Sequence, residues 1–185
     1  MEDLEIVALF LDRSENAIKE ADLKYGRYCY SIANRILNNE EDAKEVVNDT
    51  YLKAWNTIPP NEPDPLSAYL GMISRQTAIN KYKERNREKR GGGLVNKALD
   101  ELAYCIPESR ESDIVDKMFL GKVMNAFLDA LPKKTRMIFM RRYWYMDSIF
   151  QIASSFNMSE SSVKMTLLRT RSKLKKYLKE EGIDV

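Results

Sequence analysis

The stretch "MSESSVKMTLLRTRSKLKKY", Met158–Tyr177, decides how the chain is read. From Ser161 to Lys179 there are seven basic side chains and no acidic one. Beneath that charge Val163, Leu167, Thr170, Leu174 and Leu178 recur at three- and four-residue steps, the mark of a helix with one apolar side. Ser159 is placed to cap it, and Glu160 is favourable at its positive end. Immediately upstream, "DSIFQIASSF" opens on a capping box, Ser148 followed three residues later by Gln151. Ile149, Ile152, Ala153 and Phe156 then share a face, and Asn157 can take the left-handed conformation of a sharp turn.

A small Ala153, a turn residue four positions on and an apolar Val163 six beyond that match a helix-turn-helix, whose helices cross closely. The outward face of the second helix carries Ser161, Met165, Leu168, Arg169 and Ser172, flanked by Ser162 and Lys164. Short side chains near its N-terminus would let it enter a major groove, and the cations would meet phosphates or guanine edges. A plain amphipathic helix with a basic solvated face has the same composition, but leaves the matched helix and turn before it as coincidence. Lys173, Lys175, Lys176 and Lys179 read as general phosphate attraction. In "LPKKTRMIFMRRYWYM", Phe139, Tyr143 and Trp144 read as core, while Arg136, Arg141 and Arg142, alongside Lys133 and Lys134, suit either a DNA backbone or ordinary surface charge.

The 185 residues suit one large domain or two small ones, and 44% hydrophobic content supports packed cores. The net charge of +2 hides an asymmetry: residues 1–50 hold twelve acids and six bases, whereas Arg75–Arg90 holds seven bases and two acids. Glycine and proline cluster at "PPNEPDP" (Pro59–Pro65) and "GGG" (Gly91–Gly93). Elsewhere the period is helical, so the expected fold is all-α, in two small domains. Residues 1–90 form the first, with three long helices from about residue 14; residues 114–185 form the second. Between them, 91–113 is expected to be an acidic linker with some helical character.

Several functions are disfavoured. There is no histidine, which removes the commonest general base and zinc ligand. Neither a phosphate-binding glycine loop nor a nucleophile elbow is present, so the expectation is a non-enzyme without cofactor or metal. Cys29 and Cys105 form no framework, the N-terminus does not read as a signal peptide, and no run could span a membrane. A cytoplasmic protein without direct membrane insertion is expected.

Two helices of the first block carry opposite charge. "EDAKEVVNDTYLKAW" (Glu41–Trp55) sets Asp42, Glu45 and Asp49 on one face, opposite an apolar stripe. Three carboxylates along one helix do not converge on an ion, so the stripe is either solvated or a match for a basic protein surface. "LSAYLGMISRQTAINKYKERNREKR" (Leu66–Arg90) points Leu66, Tyr69, Leu70, Ile73 and Thr77 inward. Its other side shows Met72, Arg75, Ile79, Tyr82 and Lys83, a mixture suited to unstacked bases and phosphates. A central helix covered on both sides, with a basic tail, fits the same residues.

Taken together, these segments resemble the extracytoplasmic-function (ECF) sigma factors of bacterial RNA polymerase, within the sigma-70 superfamily. "ANRILNNEEDAKEVVNDTYLKAW" is similar to the family's region 2, "LSAYLGMISRQTAINKYKER" to its promoter-melting helix, and "LPKKTRMIFMRRYWYMDSIFQIASSFNMSESSVKMTLLRTRSKL" to region 4. The resemblance implies docking on the β′ clamp coiled coil of core polymerase, with the β subunit as a further partner. Asp42, Glu45, Asn48 and Asp49 are the residues it assigns to docking. The loop Thr57–Leu66 and the helix after it would open the −10 element and capture one strand, through Arg75, Gln76, Asn80, Tyr82 and Lys83. The −35 duplex would be read by Ser161, Ser162, Lys164, Met165, Arg169 and Arg171. Segment 91–113 would thread through the polymerase. Members are generally held inactive by an anti-sigma factor. Asn48 stands where the family usually has glutamine, Asn157 replaces a turn glycine, and the loop is unusually rich in proline. A stand-alone dimeric helix-turn-helix regulator is the alternative.

Overall fold

The computed structural model describes residues 1–85, 93–103, 105 and 114–183, with side chains from residue 120 onward in the last span. Among the described residues all regular structure is helical, as the sequence pattern predicts. The chain divides into two compact units, Met1–Gly91 and Gly92–Val185.

The first unit holds α1 (Asp3–Leu11), α2 (Asn16–Leu37), α3 (Glu40–Thr57) and α4 (Leu66–Arg85). Helices α2, α3 and α4 are the three expected; α1 is an addition. Its Ile6, Val7 and Phe10 are buried against a core that includes Ala21, Cys29, Val47, Ala54, Ile58 and Leu70. Helix α1 also begins α4: the Asp3 carboxylate accepts the Leu66 backbone N–H at 3.1 Å, satisfying a donor that the proline-rich loop leaves open. The same carboxylate takes Lys24 at 2.7 Å and the Tyr25 hydroxyl. Helices α2 and α4 approach closely at Gly71, where an added Cβ would lie 2.7 Å from the Tyr28 hydroxyl. Ser74 bridges the two by donating to the Cys29 carbonyl. Asn38 ends α2 in the left-handed conformation, and the Asn39 side chain caps α3 by accepting from the Asp42 N–H.

The second unit holds α5 (Leu94–Ala103), α6 (Ile114–Ala130), α7 (Lys133–Tyr143), α8 (Ile149–Phe156) and α9 (Glu160–Glu180). Helix α5 falls within the segment expected as linker, and it buries Val95 and Ala98. Residues 91, 92, 104 and 106–113 of that segment lie outside the described residues. Phe127 of α6 meets Phe139 of α7 and Tyr177 of α9, with ring centroids 6.5 and 5.6 Å apart. Helices α8 and α9 form the helix-turn-helix, and each local signal is in place. Ser148 and Gln151 make both bonds of a capping box, at 3.1 and 2.8 Å. Asn157 is left-handed (φ 50°, ψ 50°), and Met158 N–H returns to the Ala153 carbonyl at 3.0 Å. The Ser159 hydroxyl accepts from the Ser162 N–H. Val163, Leu167, Thr170, Leu174 and Leu178 are all buried.

One buried network ties the second unit together. Arg142 is 2% exposed and grips Glu101 of α5 through two bonds, 2.8 Å from Nη2 and 3.2 Å from Nε, while its Nη1 donates to the Asp147 carbonyl. The Tyr143 hydroxyl also donates to Glu101, and Arg171 of α9 donates to both Tyr143 and Glu101. Arg141 is occupied by Asp147. Arg142 is therefore neither free surface charge nor available to a DNA backbone, which corrects the sequence expectation for it; Arg141 and Arg136 are paired with Asp147 and Asp129. Burial drives the Glu101 carboxyl up, but the hydrogen bond and charge of Arg142, with Tyr143 and Arg171, outweigh it and hold the group below its ordinary pKa.

Candidate nucleic-acid interfaces

Three surfaces matter, two in the first unit and one in the second. On α3 the acidic stripe is a real face, but it is not simply solvated. Arg85 donates to Asp42 at 2.7 Å, and Lys81 lies 2.6 Å from Glu45 and 3.7 Å from Asp42. The Glu45 hydrogen bond holds the Lys81 ammonium above its ordinary pKa. Glu45 stays 61% exposed and Asn48 is exposed; Asp42 and Asp49 are half-buried. The acidic face of α3 is thus partly neutralised at its N-terminal end by two cations of α4.

Helix α4 carries the second surface. Gln76 and Asn80 are exposed, the Gln76 amide donating a 3.0 Å hydrogen bond to the Asn80 side-chain oxygen, and Lys83 is exposed one turn on from Asn80. Met72 is 52% exposed. Arg75 and Tyr82 are half-buried, and desolvation pulls the Arg75 guanidinium below its ordinary pKa. Ile79 does not belong to this face: it is buried, since α4 packs on both α2 and α3 and has apolar contacts over a wide arc. Beside it, the loop before α4 is stapled by the Tyr69 hydroxyl donating to Thr57 and by the Asn61 amide donating to the Thr57 carbonyl, each at 2.8 Å.

On α9, Ser161, Ser162, Lys164, Met165, Leu168, Arg169 and Ser172 are exposed together. The N-terminal turns therefore offer small hydroxyls and two protruding apolar groups, with Lys164 and Arg169 as cations. Arg171 is the exception. Its side chain is 18% exposed and turned into the Glu101–Tyr143 network, so it supports the helix from behind and is withdrawn from the groove-facing set. No hallmark of a metal centre accompanies these faces: among the described residues there is no group of three histidine, cysteine or acidic side chains that could hold an ion. No described helix is long and apolar enough to cross a membrane.

An all-helical protein of two units, with a paired acidic and basic helix in the first and a helix-turn-helix in the second, is the architecture of a sigma factor. Comparison with known proteins agrees. The model of sigma-70 region 2 matches residues 23–88, and that of sigma-70 region 4 matches residues 123–174. A relative described as "ECF RNA polymerase sigma factor SigE", from Mycolicibacterium smegmatis, is 22% identical over 151 residues. That similarity covers 80% of this chain and 56% of the relative, so the chain matches little more than half of that protein's length. The chain belongs to the sigma-70 family.

Proposed function

We propose that the chain is a promoter-specificity factor: it binds core RNA polymerase and directs initiation at promoters with −35 and −10 elements. Residues 1–90 dock and melt, residues 114–185 hold the −35 duplex, and 91–113 joins them. The observation that carries this reading is the pair of family regions in order, region 2 over residues 23–88 and region 4 over residues 123–174. On α3, Asp42, Glu45, Asn48 and Asp49 are the docking groups for the β′ clamp, with the β subunit as further support. On α4, Arg75, Gln76, Asn80, Tyr82 and Lys83 take the −10 strand. On α9, Ser161, Ser162, Lys164, Met165 and Arg169 read the −35 duplex. An anti-sigma factor is the regulator that the ECF resemblance implies. The site of action is the cytoplasm.

The test is equilibrium binding of the purified protein to core polymerase, beside a variant with Asp42, Glu45 and Asp49 all changed to Lys. Wild-type binding should weaken at least about tenfold in the variant, whose folding is checked by circular dichroism. Failure of the folded wild type to bind would favour a dimeric operator-binding regulator instead. Arg169→Ala should lower −35-dependent initiation by about tenfold or more while leaving core binding unchanged. Equal loss of both would remove Arg169 from the −35 surface.

A further inference from the structure

Helix α1 lies outside residues 23–88, the part that matches region 2, and no role assigned above uses it. Its two ends nevertheless reach the two ends of one loop. At its start, Asp3 accepts the backbone N–H of Leu66, the first residue of α4, at 3.1 Å. Just past its end, Arg13 donates to the Trp55 carbonyl in the last turn of α3, and its guanidinium lies 5.4 Å from the centroid of the Trp55 ring. Arg13 is left-handed, φ 55°, a conformation that residues other than glycine rarely take. Each bond supplies what the loop itself cannot. The helical partner of the Trp55 carbonyl would be the N–H four residues on, and that residue is Pro59. Leu66 opens its helix, so its N–H has no partner within it. Between the two holds, Ile58 and Leu66 are fully buried in the core that contains Ile6 and Phe10, while Pro59 to Pro65 are exposed except for a half-buried Pro63. Cohesion of α1 with the bundle already comes from Ile6, Val7 and Phe10. The polar bonds at its ends add direction: they fix where the loop starts and stops.

We propose that Asp3 and Arg13 are positioning residues for promoter opening, through which α1 braces the Thr57–Leu66 loop by holding the end of α3 and the start of α4. The inference rests on the reading of that loop as the element that captures the −10 strand. A loop anchored at both feet has less freedom to lose when it grips a strand. Lys24 and the Tyr25 hydroxyl, both on α2, hold the other Asp3 oxygen, so the carboxylate is itself fixed in place.

The first measurement needs no polymerase. Amide hydrogen exchange in the full chain, read by nuclear magnetic resonance, should be about tenfold faster at Leu66 in Asp3→Ala. Asp3→Asn keeps an acceptor and should restore most of the protection, and Val46 in the middle of α3 should be unchanged in both. Equal acceleration at Leu66 and Val46 would mean that α1 only stabilises the unit, and would overturn the brace; so would no change at Leu66. The second measurement uses holoenzyme and a promoter from which the wild type initiates, at a temperature where circular dichroism shows each variant folded. Open-complex formation should fall about fivefold in Asp3→Ala with Arg13→Ala, at unchanged affinity for core polymerase. Asp3→Asn should stay near wild type, as should Leu4→Ala, an exposed position on the same helix. Opening and core affinity falling together would overturn the positioning role. If the paired variant opens promoters as well as the wild type, that role alone falls. If the exchange pattern appears but the folded wild type does not bind core, the role falls together with the function proposed above.

Discussion

In the first unit, Asp42 and Glu45 meet Lys81 and Arg85 at the rim of two helices; in the second, Glu101 meets Arg142, Tyr143 and Arg171. The chemistry is the same and the solvation is not. Arg142 is 2% exposed with every nitrogen directed at an acceptor, whereas Arg85 keeps half its surface in water. A buried ion pair is bound by the cost of stranding either member, so it cannot be traded for a partner. A rim pair is nearly neutral in energy and can be exchanged. The contrast teaches where exchangeable charge can sit: in the first unit at the rim where α3 meets α4, in the second on exposed pairs such as Arg136 with Asp129, and not at Glu101.

The sharpest way to break this comparison is Glu101→Ala. It leaves Arg142 buried without a counter-ion and should destabilise the second unit by about 3–5 kcal/mol, enough to unfold a small core. Urea titration followed by circular dichroism would show it as an early transition, while Lys81→Ala should cost the first unit less than about 1 kcal/mol. A Glu101→Ala cost no greater than that of Lys81→Ala would mean water reaches Arg142, and the contrast would fail. Acid gives an independent check. The folded-state pKa of Glu101 is lowered, so its contribution is complete above the unfolded-state value and is lost as pH falls through the folded one. Stability of the second unit should therefore drop on acidification, and Glu101→Gln should flatten that dependence.

A smaller effect is expected at Gly71, where backbone packing replaces charge as the tie. An Ala Cβ there would meet the hydroxyl end of the Tyr28 ring at 2.7–3.1 Å, so the ring or the helix must shift. Gly71→Ala should destabilise the first unit by about 1–3 kcal/mol and leave the second unit's transition unchanged, as measured in the same titration. If both transitions move, the two units are not independent in folding.

The helix-turn-helix was legible because its signals are local. Ser148 with Gln151, Asn157, Ser159 and the stripe from Val163 to Leu178 all act within one or two turns. The Glu101 network was not legible, since the partners of Glu101 lie 41 to 70 residues away from it and a lone arginine in a basic sequence gives no sign that it is buried. That is why Arg142 and Arg171 read as candidates for DNA. Helix α1 escaped notice for a different reason: nine residues are too few to establish a period, and its burial depends on α2 and α4. Ile79 was misplaced because α4 is covered on two sides, with Gly71, Ser74 and Ala78 buried where a polar face would be expected. The acidic stripe was correctly located on α3, but its internal partners lie some forty residues away on α4.

The smallest predicted effect concerns a device that both units share. Asn38 closes α2 and Asn157 closes α8, each left-handed, at φ 49° and φ 50°. Asparagine tolerates that region because its side chain can bond locally; alanine has a Cβ that crowds the carbonyl and gains nothing in return. Asn38→Ala should cost the first unit about 1 kcal/mol and Asn157→Ala should cost the second about the same. The consequences differ. Asn38 leads into α3 within a packed bundle, whereas Asn157 sets the angle at which α9 leaves α8. At a temperature where the variant remains folded, Asn157→Ala should still weaken binding of −35 duplex, and Asn157→Gly should weaken it less. Stability and DNA affinity falling strictly in parallel across the two substitutions would show that the turn acts only by holding the unit together. Affinity falling further than stability would show that the turn aims the recognition helix.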